Sequence, residues 1–250
     1  MGSGRTPLIV PLTPRSKAAL ALRAAGRAAL RAHARSDALA CACALAALAS
    51  LLLGSGKSPA AGAAAAELFD QLDDYLVQLE EKAPGWEARI REARVDVRAQ
   101  RSQFEEALAS ANALLRDGRL QWFAEALAES VAGLADVDGA MRGWQAEGWL
   151  VGLIAPIEAL MAPLDWLCEK IEDFGGWRET VAHQGRIVLE RGEGGILLLR
   201  PPENAGDGVR ARVVSAHGRL VITLLQAGPG EAFAPMEDDE AWAWTIVPIG

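Results

Sequence analysis

Apolar residues recur every three or four positions along the first two thirds of this chain and then, after Gly175-Gly176, fall into short runs separated by turn residues. Residues 1–13 contain Pro7 and Pro11 and read as an extended arm. Thr13 offers an N-cap with Pro14 at the first helical position, and KAALALRAAGRAALRAHAR then favours helix as far as Arg35. Ser36 and Asp37 restart the helix over residues 38–53, the unbroken apolar run ALACACALAALASLLL, which stops at Gly54. GSGKSPAAG, residues 54–62, reads as a linker.

The helical body is expected over residues 63–174. Leu68, Leu72, Tyr75, Leu76 and Leu79 share one face of a helix that Pro84 and Gly85 break. From Trp86 to Arg116, Ile90, Val97, Phe104 and Ala111 stand seven apart, with Ala93, Ala107 and Leu114 between them, as in a coiled-coil seam. Asp117-Gly118 turns the chain into a helix carrying Leu120, Ala124, Leu127, Val131 and Leu134. So short a connection predicts an antiparallel hairpin over 86–134. Gly143, Gly148, Pro156 and Pro163 interrupt the last helical stretch, whose apolar face runs from Trp149 to Phe174.

Residues 186–190, 196–200, 209–215, 219–226 and 241–247 are rich in Val, Ile and Leu and predict about five strands. VRARVVSAHGRLVITLLQ is the clearest hairpin, with Arg210, Arg212 and Ser215 assigned to a wet face and Val209, Ala211 and Val213 to a dry one. The fold class is therefore α+β. A mainly helical bundle over residues 14–174 precedes a small antiparallel β module over 175–250, with Trp177, Trp242 or Trp244 expected at the junction.

Charge refines this picture. The formal net charge of −8 disfavours nucleic acid and anionic membranes as partners of the whole protein. Yet residues 1–36 contain only basic charges, among them Arg23, Arg27, Arg31 and Arg35, which form a stripe along the first helix. That stripe is a candidate interaction surface, or a partner for the acids of residues 120–182. The run 38–53 is shorter than the roughly 20 residues of a membrane span and rich in alanine, so a core helix buried against 86–134 and 148–174 is expected, with an anchor or signal as the alternative. Glu158 and Asp165 inside the apolar stretch that follows argue against a span there.

Specific chemistry is sparse. Gly54, Gly56, Lys57 and Ser58 resemble the end of a phosphate-binding loop, in which glycine amides wrap phosphates and lysine reaches them. Leu51 occupies the first glycine position, Pro59 follows directly, and the context is helical, so Lys57 is expected to be a solvated loop residue. His33, His183 and His217 lack metal or triad spacing, and Cys41, Cys43 and Cys168 form no framework, which fits a reducing compartment. Glu237-Asp238-Asp239-Glu240 lacks the spacing of a calcium loop and reads as a solvated turn. Trp86, Trp122, Trp144, Trp149, Trp166 and Trp177 are expected in packing roles. Trp242 and Trp244, two apart and on one face of a strand, are expected as core or as a docking platform.

These features predict a non-catalytic protein-interaction or regulatory protein, cytoplasmic, with a protein partner, no cofactor and no metal. Nucleic acid and small-molecule substrates are disfavoured. A membrane-active or membrane-anchored effector using residues 14–53 is the alternative, and a nucleotide binder built on residues 54–58 the third reading.

Overall fold

The computed structural model describes residues 6–53, 60–114, 116–129, 148–190, 195–202, 205, 208–227 and 233–249. It is an α+β protein in which helices precede an antiparallel β module. The chain divides into two compact units: Pro14–Lys170, and Met1–Thr13 together with Ile171–Gly250. The segment 1–13, expected as an extended arm, thus belongs to the β unit.

Six helices lie among the described residues: α1 (Pro14–Ala34), α2 (Ala38–Leu53), α3 (Ala61–Lys82), α4 (Glu87–Leu114), α5 (Gly118–Glu129) and α6 (Trp149–Asp173). Helix α1 buries a narrow stripe of Ser16, Ala19, Leu22, Gly26, Ala29 and Ala32. Side chains this small let neighbouring helices approach closely, and α2 and α3 both pack there. At Gly26 a Cβ would overlap the thioether of Met161 on α6, so the glycine makes room for that side chain. Asp37 caps α2, its Oδ1 accepting the Ala40 amide at 3.0 Å.

Helix α2 buries Cys41, Ala42, Leu45, Ala46, Leu48, Ala49 and Leu52, while Leu39, Ala40, Ala47 and Ser50 are exposed. Its chief neighbour is α1, the basic helix itself, with α5, α3 and α4 adding smaller contacts. The hairpin geometry also differs from expectation. The heptad face of α4, with Ile90, Ala93, Val97, Phe104 and Ala107 buried, packs on the preceding helix α3, and Phe104 meets Phe69 at 5.6 Å between ring centroids. The turn at Pro84-Gly85, with Gly85 at φ 93°, reverses the chain and pairs α4 with α3. Helix α5 lies on α2 instead. Of the residues expected on that helix, Val131 and Leu134 lie outside the described residues.

Ion pairs edge the α3–α4 hairpin. Asp73 accepts from Arg94 at 2.7 Å and Arg98 at 2.9 Å, Glu80 lies 3.2 Å from Arg91, and Asp70 2.6 Å from Arg101. Trp86 and Trp122, expected in packing roles, are exposed. Ile90 and Phe123 occupy the buried positions next to them, and Arg89 stacks over the Trp86 ring at 5.0 Å.

The β unit holds β1 (Leu8–Pro11), β2 (Arg178–Ala182), β3 (Arg186–Glu190), β4 (Ile196–Arg200), β5 (Arg210–Ala216), β6 (Arg219–Ala227), β7 (Phe233–Pro235) and β8 (Glu240–Val247). Five match the expected runs. β1, β2 and β7 were not expected, because a proline-flanked arm, a largely polar segment and a three-residue strand carry little apolar pattern. One sheet has the order β1-β4-β8-β2, the other β3-β6-β5 with β7 also on β6, and all pairings are antiparallel. β1 lies alongside β5 and β2 alongside β3, so both sheets curl around one interior. That interior holds Ile187, Leu189, Leu197, Leu199, Leu220, Ile222, Leu224, Met236 and Trp242, with Leu8 and Val10 of β1 packed against them. β4 is buried on both faces, as its continuous apolar run Ile196–Leu199 requires.

Candidate interaction surface

Two tight turns set the second sheet. His183-Gln184-Gly185-Arg186 joins β2 to β3, with φ of 49° at Gln184 and 66° at Gly185; His183 and Arg186 exchange both backbone hydrogen bonds at 2.9 Å. His217-Gly218 joins β5 to β6 with φ of 50° and 76°. Two consecutive positive φ values give the turn twist that matches paired strands. These turns occupy His183 and His217 structurally. His183 Nδ1 also lies 3.1 Å from Asp239, whose other oxygen accepts the Gln184 amide at 2.9 Å. Those two bonds hold the Asp239 carboxyl below its usual range.

The turns fix the register, and the register sorts side chains between two faces. Val188, Val221 and Val214 form one row across β3, β6 and β5; Arg186, Thr223 and Arg212 form the next. Arg210 and Pro235 flank Leu225 in the row beyond, and Glu190, Arg219 and Ala216 close the opposite end. All of these point away from the interior, because Ile187, Leu189, Leu220, Ile222 and Leu224 alternate with them inward. Ser215, assigned from sequence to the wet face, has the parity of the inward residues; the outward position belongs to Val214.

This outer face is apolar where a solvated strand would be polar. Val188 is 55% exposed, Val214 50% and Phe233 39%. Together with Arg186, Arg212, Thr223 and Leu225 they surround or adjoin an open groove of about 570 Å³. The Arg210 guanidinium sits 4.3 Å from the Phe233 ring centroid, a cation–π contact that holds both. This surface was not legible in the sequence, because the runs 186–190, 209–215 and 219–226 carry apolar residues on both faces. The burial of β3 alternates strictly, but its sequence Arg-Ile-Val-Leu-Glu does not, so the outward face shows only in the register.

Trp242 is 1% exposed and belongs to the interior of the β unit, so it offers no surface for docking. Its indole nitrogen has no hydrogen-bond partner among the described residues. Trp244 is half-buried, with the Arg178 guanidinium 5.6 Å from its ring centroid. Within the helical unit, Arg23 and Arg27 both donate to Asp165, at 2.7 and 2.9 Å. Arg31 and Arg35 are exposed and have no ion-pair partner among the described residues. The stripe is thus half engaged internally. Gly54, Gly56, Lys57 and Ser58 lie outside the described residues; the segment containing them connects helix α2 to helix α3, whereas a phosphate-binding loop follows a strand.

A smaller hollow of about 190 Å³ lies at the α1–α2 turn, lined by His33, Ser36, Asp37, Cys41, Leu150 and Val151 among others. Burial, reinforced by Asp37, pushes the Cys41 thiol up to about 11, and burial does the same to Cys168. Neither is a thiolate nucleophile near neutral pH. No cluster of three or more histidine, cysteine or carboxylate side chains that could hold a metal occurs among the described residues. No protein-family model matches this chain, and no curated protein matches it in sequence.

Proposed function

We propose that this is a non-catalytic protein-interaction protein whose β module docks a partner on the outer face of the β3–β6–β5 sheet, with the helical unit as its scaffold. The observation that carries this reading is the outward Val188–Val221–Val214 row, with Val188 and Val214 exposed, extended by Leu225 and Phe233 and framed by arginines. An apolar strip with a polar rim is the usual composition of a docking patch. Replacing Val188 and Val214 together by lysine tests it, because both side chains point outward and the interior is untouched. The tagged V188K/V214K protein should lose a partner that co-purifies with the unaltered chain while its circular dichroism spectrum and melting temperature hold. Identical co-purifying proteins in both preparations would contradict the reading.

A second reading, association with a membrane surface through residues 14–53, is favoured by one specific observation. Leu39 is 47% exposed at the start of α2, close in sequence to the exposed Arg31 and Arg35. Helix α6 is also long and apolar enough to cross a membrane by length and composition, with a mean hydropathy of 1.6. Half of that window is buried against protein, and Asp165 within the helix binds two arginines. These points support α6 as a core helix. Flotation with anionic vesicles, lost on Leu39→Glu, would favour the membrane reading over docking.

A further inference from the structure

We propose that the outer face of the β3–β6–β5 sheet takes an extended acidic segment of a partner protein, in which carboxylates flank an apolar side chain. The inference deepens the docking reading above and rests on it. Among the described residues, four guanidinium groups rise from this face, those of Arg186, Arg210, Arg212 and Arg219, against the single carboxylate of Glu190. None of the four has an ion-pair partner among the described residues, whereas arginines of the helical unit such as Arg23, Arg27, Arg94 and Arg98 are paired.

Arg186 and Arg212 are both register partners of Thr223, one on each neighbouring strand. Strand spacing puts their backbones about 10 Å apart, with the groove between and beside them. Residues i, i+2 and i+4 of an extended peptide share a face over about 13 Å, so carboxylates at i and i+4 reach toward the two long arginine side chains with the side chain at i+2 between them. An apolar side chain at i+2 lies on that same face and meets the valine row or Leu225. Guanidinium and carboxylate match as forked donor and paired acceptor, which makes arginine the suitable residue for this task.

Single-stranded nucleic acid would also meet arginines, but it is held by stacking on exposed aromatic faces. Among the described residues the face offers one aromatic ring, Phe233, and Arg210 already lies over it. Exposed ion pairs contribute little one at a time, so selectivity arises from two of them held in fixed register beside an apolar contact.

Fluorescence anisotropy with the labelled peptide GSESVSESG, whose two glutamates and valine share one face, and the full-length protein tests this. The expected result is saturable binding that weakens with added salt, and a roughly tenfold or greater loss of affinity both for the peptide GSQSVSQSG and for the R186E/R212E protein. Circular dichroism checks that the variant, altered only at exposed positions, remains folded. Equal affinity for the glutamine peptide, or tighter binding of a ten-nucleotide thymidine oligomer, overturns the inference. The two proposals separate cleanly. If V188K/V214K loses its cellular partner but the acidic peptide fails to bind, docking stands and the acidic ligand falls. If V188K/V214K loses nothing and the peptide also fails, both fall.

Discussion

Trp242 shows how far a single residue could be read from sequence. Its position two residues from Trp244 on one strand face was legible, because strand parity is a property of the backbone. Which face would be buried was not, since that depends on β1, β2 and β4 closing around it, and β1 and β2 carry weak patterns of their own. Trp242 is buried at 1% exposure, and its indole N–H lacks a hydrogen-bond partner among the described residues. Trp242→Ala should therefore destabilise the β unit by about 3–5 kcal/mol through the cavity it leaves, whereas Trp242→Phe, which removes the unpaired donor, should cost less than half as much. Denaturant melts monitored by circular dichroism separate the two. Equal losses would mean that the indole nitrogen has a partner that matters. The valines of the outer face present the opposite case. Val188 and Val214 look like core residues, and only register with Arg186 and Arg212 shows that they face out.

At the scale of elements, the helices and the five apolar strands were legible because periodicity and helix breakers are local. The partner of α4 was not. A seven-residue spacing specifies a seam but not which neighbour fills it, and the short turn at Pro84-Gly85 favoured α3. Ion pairs reinforce that choice. Partial burial alone would raise the Asp73 carboxyl, but hydrogen bonds and charge from Arg94 and Arg98 outweigh it and hold it below its usual range. A depressed carboxylate contributes stability that is complete above the unfolded value and is lost as pH falls through the folded one. The hairpin should therefore lose stability from about pH 4 downward, and Asp73→Asn should flatten that loss while costing about 1 kcal/mol at pH 7. Thermal melts across pH 2–7 check both; an unchanged acid slope in the variant would contradict the assignment.

The two turns of the β unit give a second element-scale test. Both Gly185 and Gly218 have positive φ, so alanine is strained at either. Around Gly218 the space for a Cβ is open, but at Gly185 it would meet the Met236 backbone, 2.5 Å from the carbonyl oxygen. Gly218→Ala should cost about 1 kcal/mol and Gly185→Ala clearly more, with shifted β2–β3 resonances in the latter. Equal stabilities would contradict the register at that corner.

For the whole molecule, the order of helical and β-rich portions was legible from the change of period at Gly175-Gly176. The return of the N-terminal arm was not, because strand pairing at a distance of nearly 190 residues leaves no local trace: Leu8 pairs with Leu199 and Pro11 with Ile196. Deleting residues 1–13 should raise amide exchange along Ile196–Arg200 while exchange in α3 and α4 stays as it was. Loosening of both regions together would contradict the assignment of this segment to the β unit. The charge pattern was half legible. The basic stripe on α1 was visible in sequence, but two of its arginines are engaged by Asp165, and the more openly basic surface is assembled from three strands.

The claim on which the functional account turns is that a partner protein sits on that assembled surface. Site-specific photocrosslinking measures this directly: a benzophenone side chain placed at position 214, facing out from the valine row, against a control at position 179 on β2, also exposed. On irradiation in cells the account predicts a discrete protein adduct from position 214 and none from position 179. Adducts of equal yield from both positions, or only lipid adducts, would contradict it.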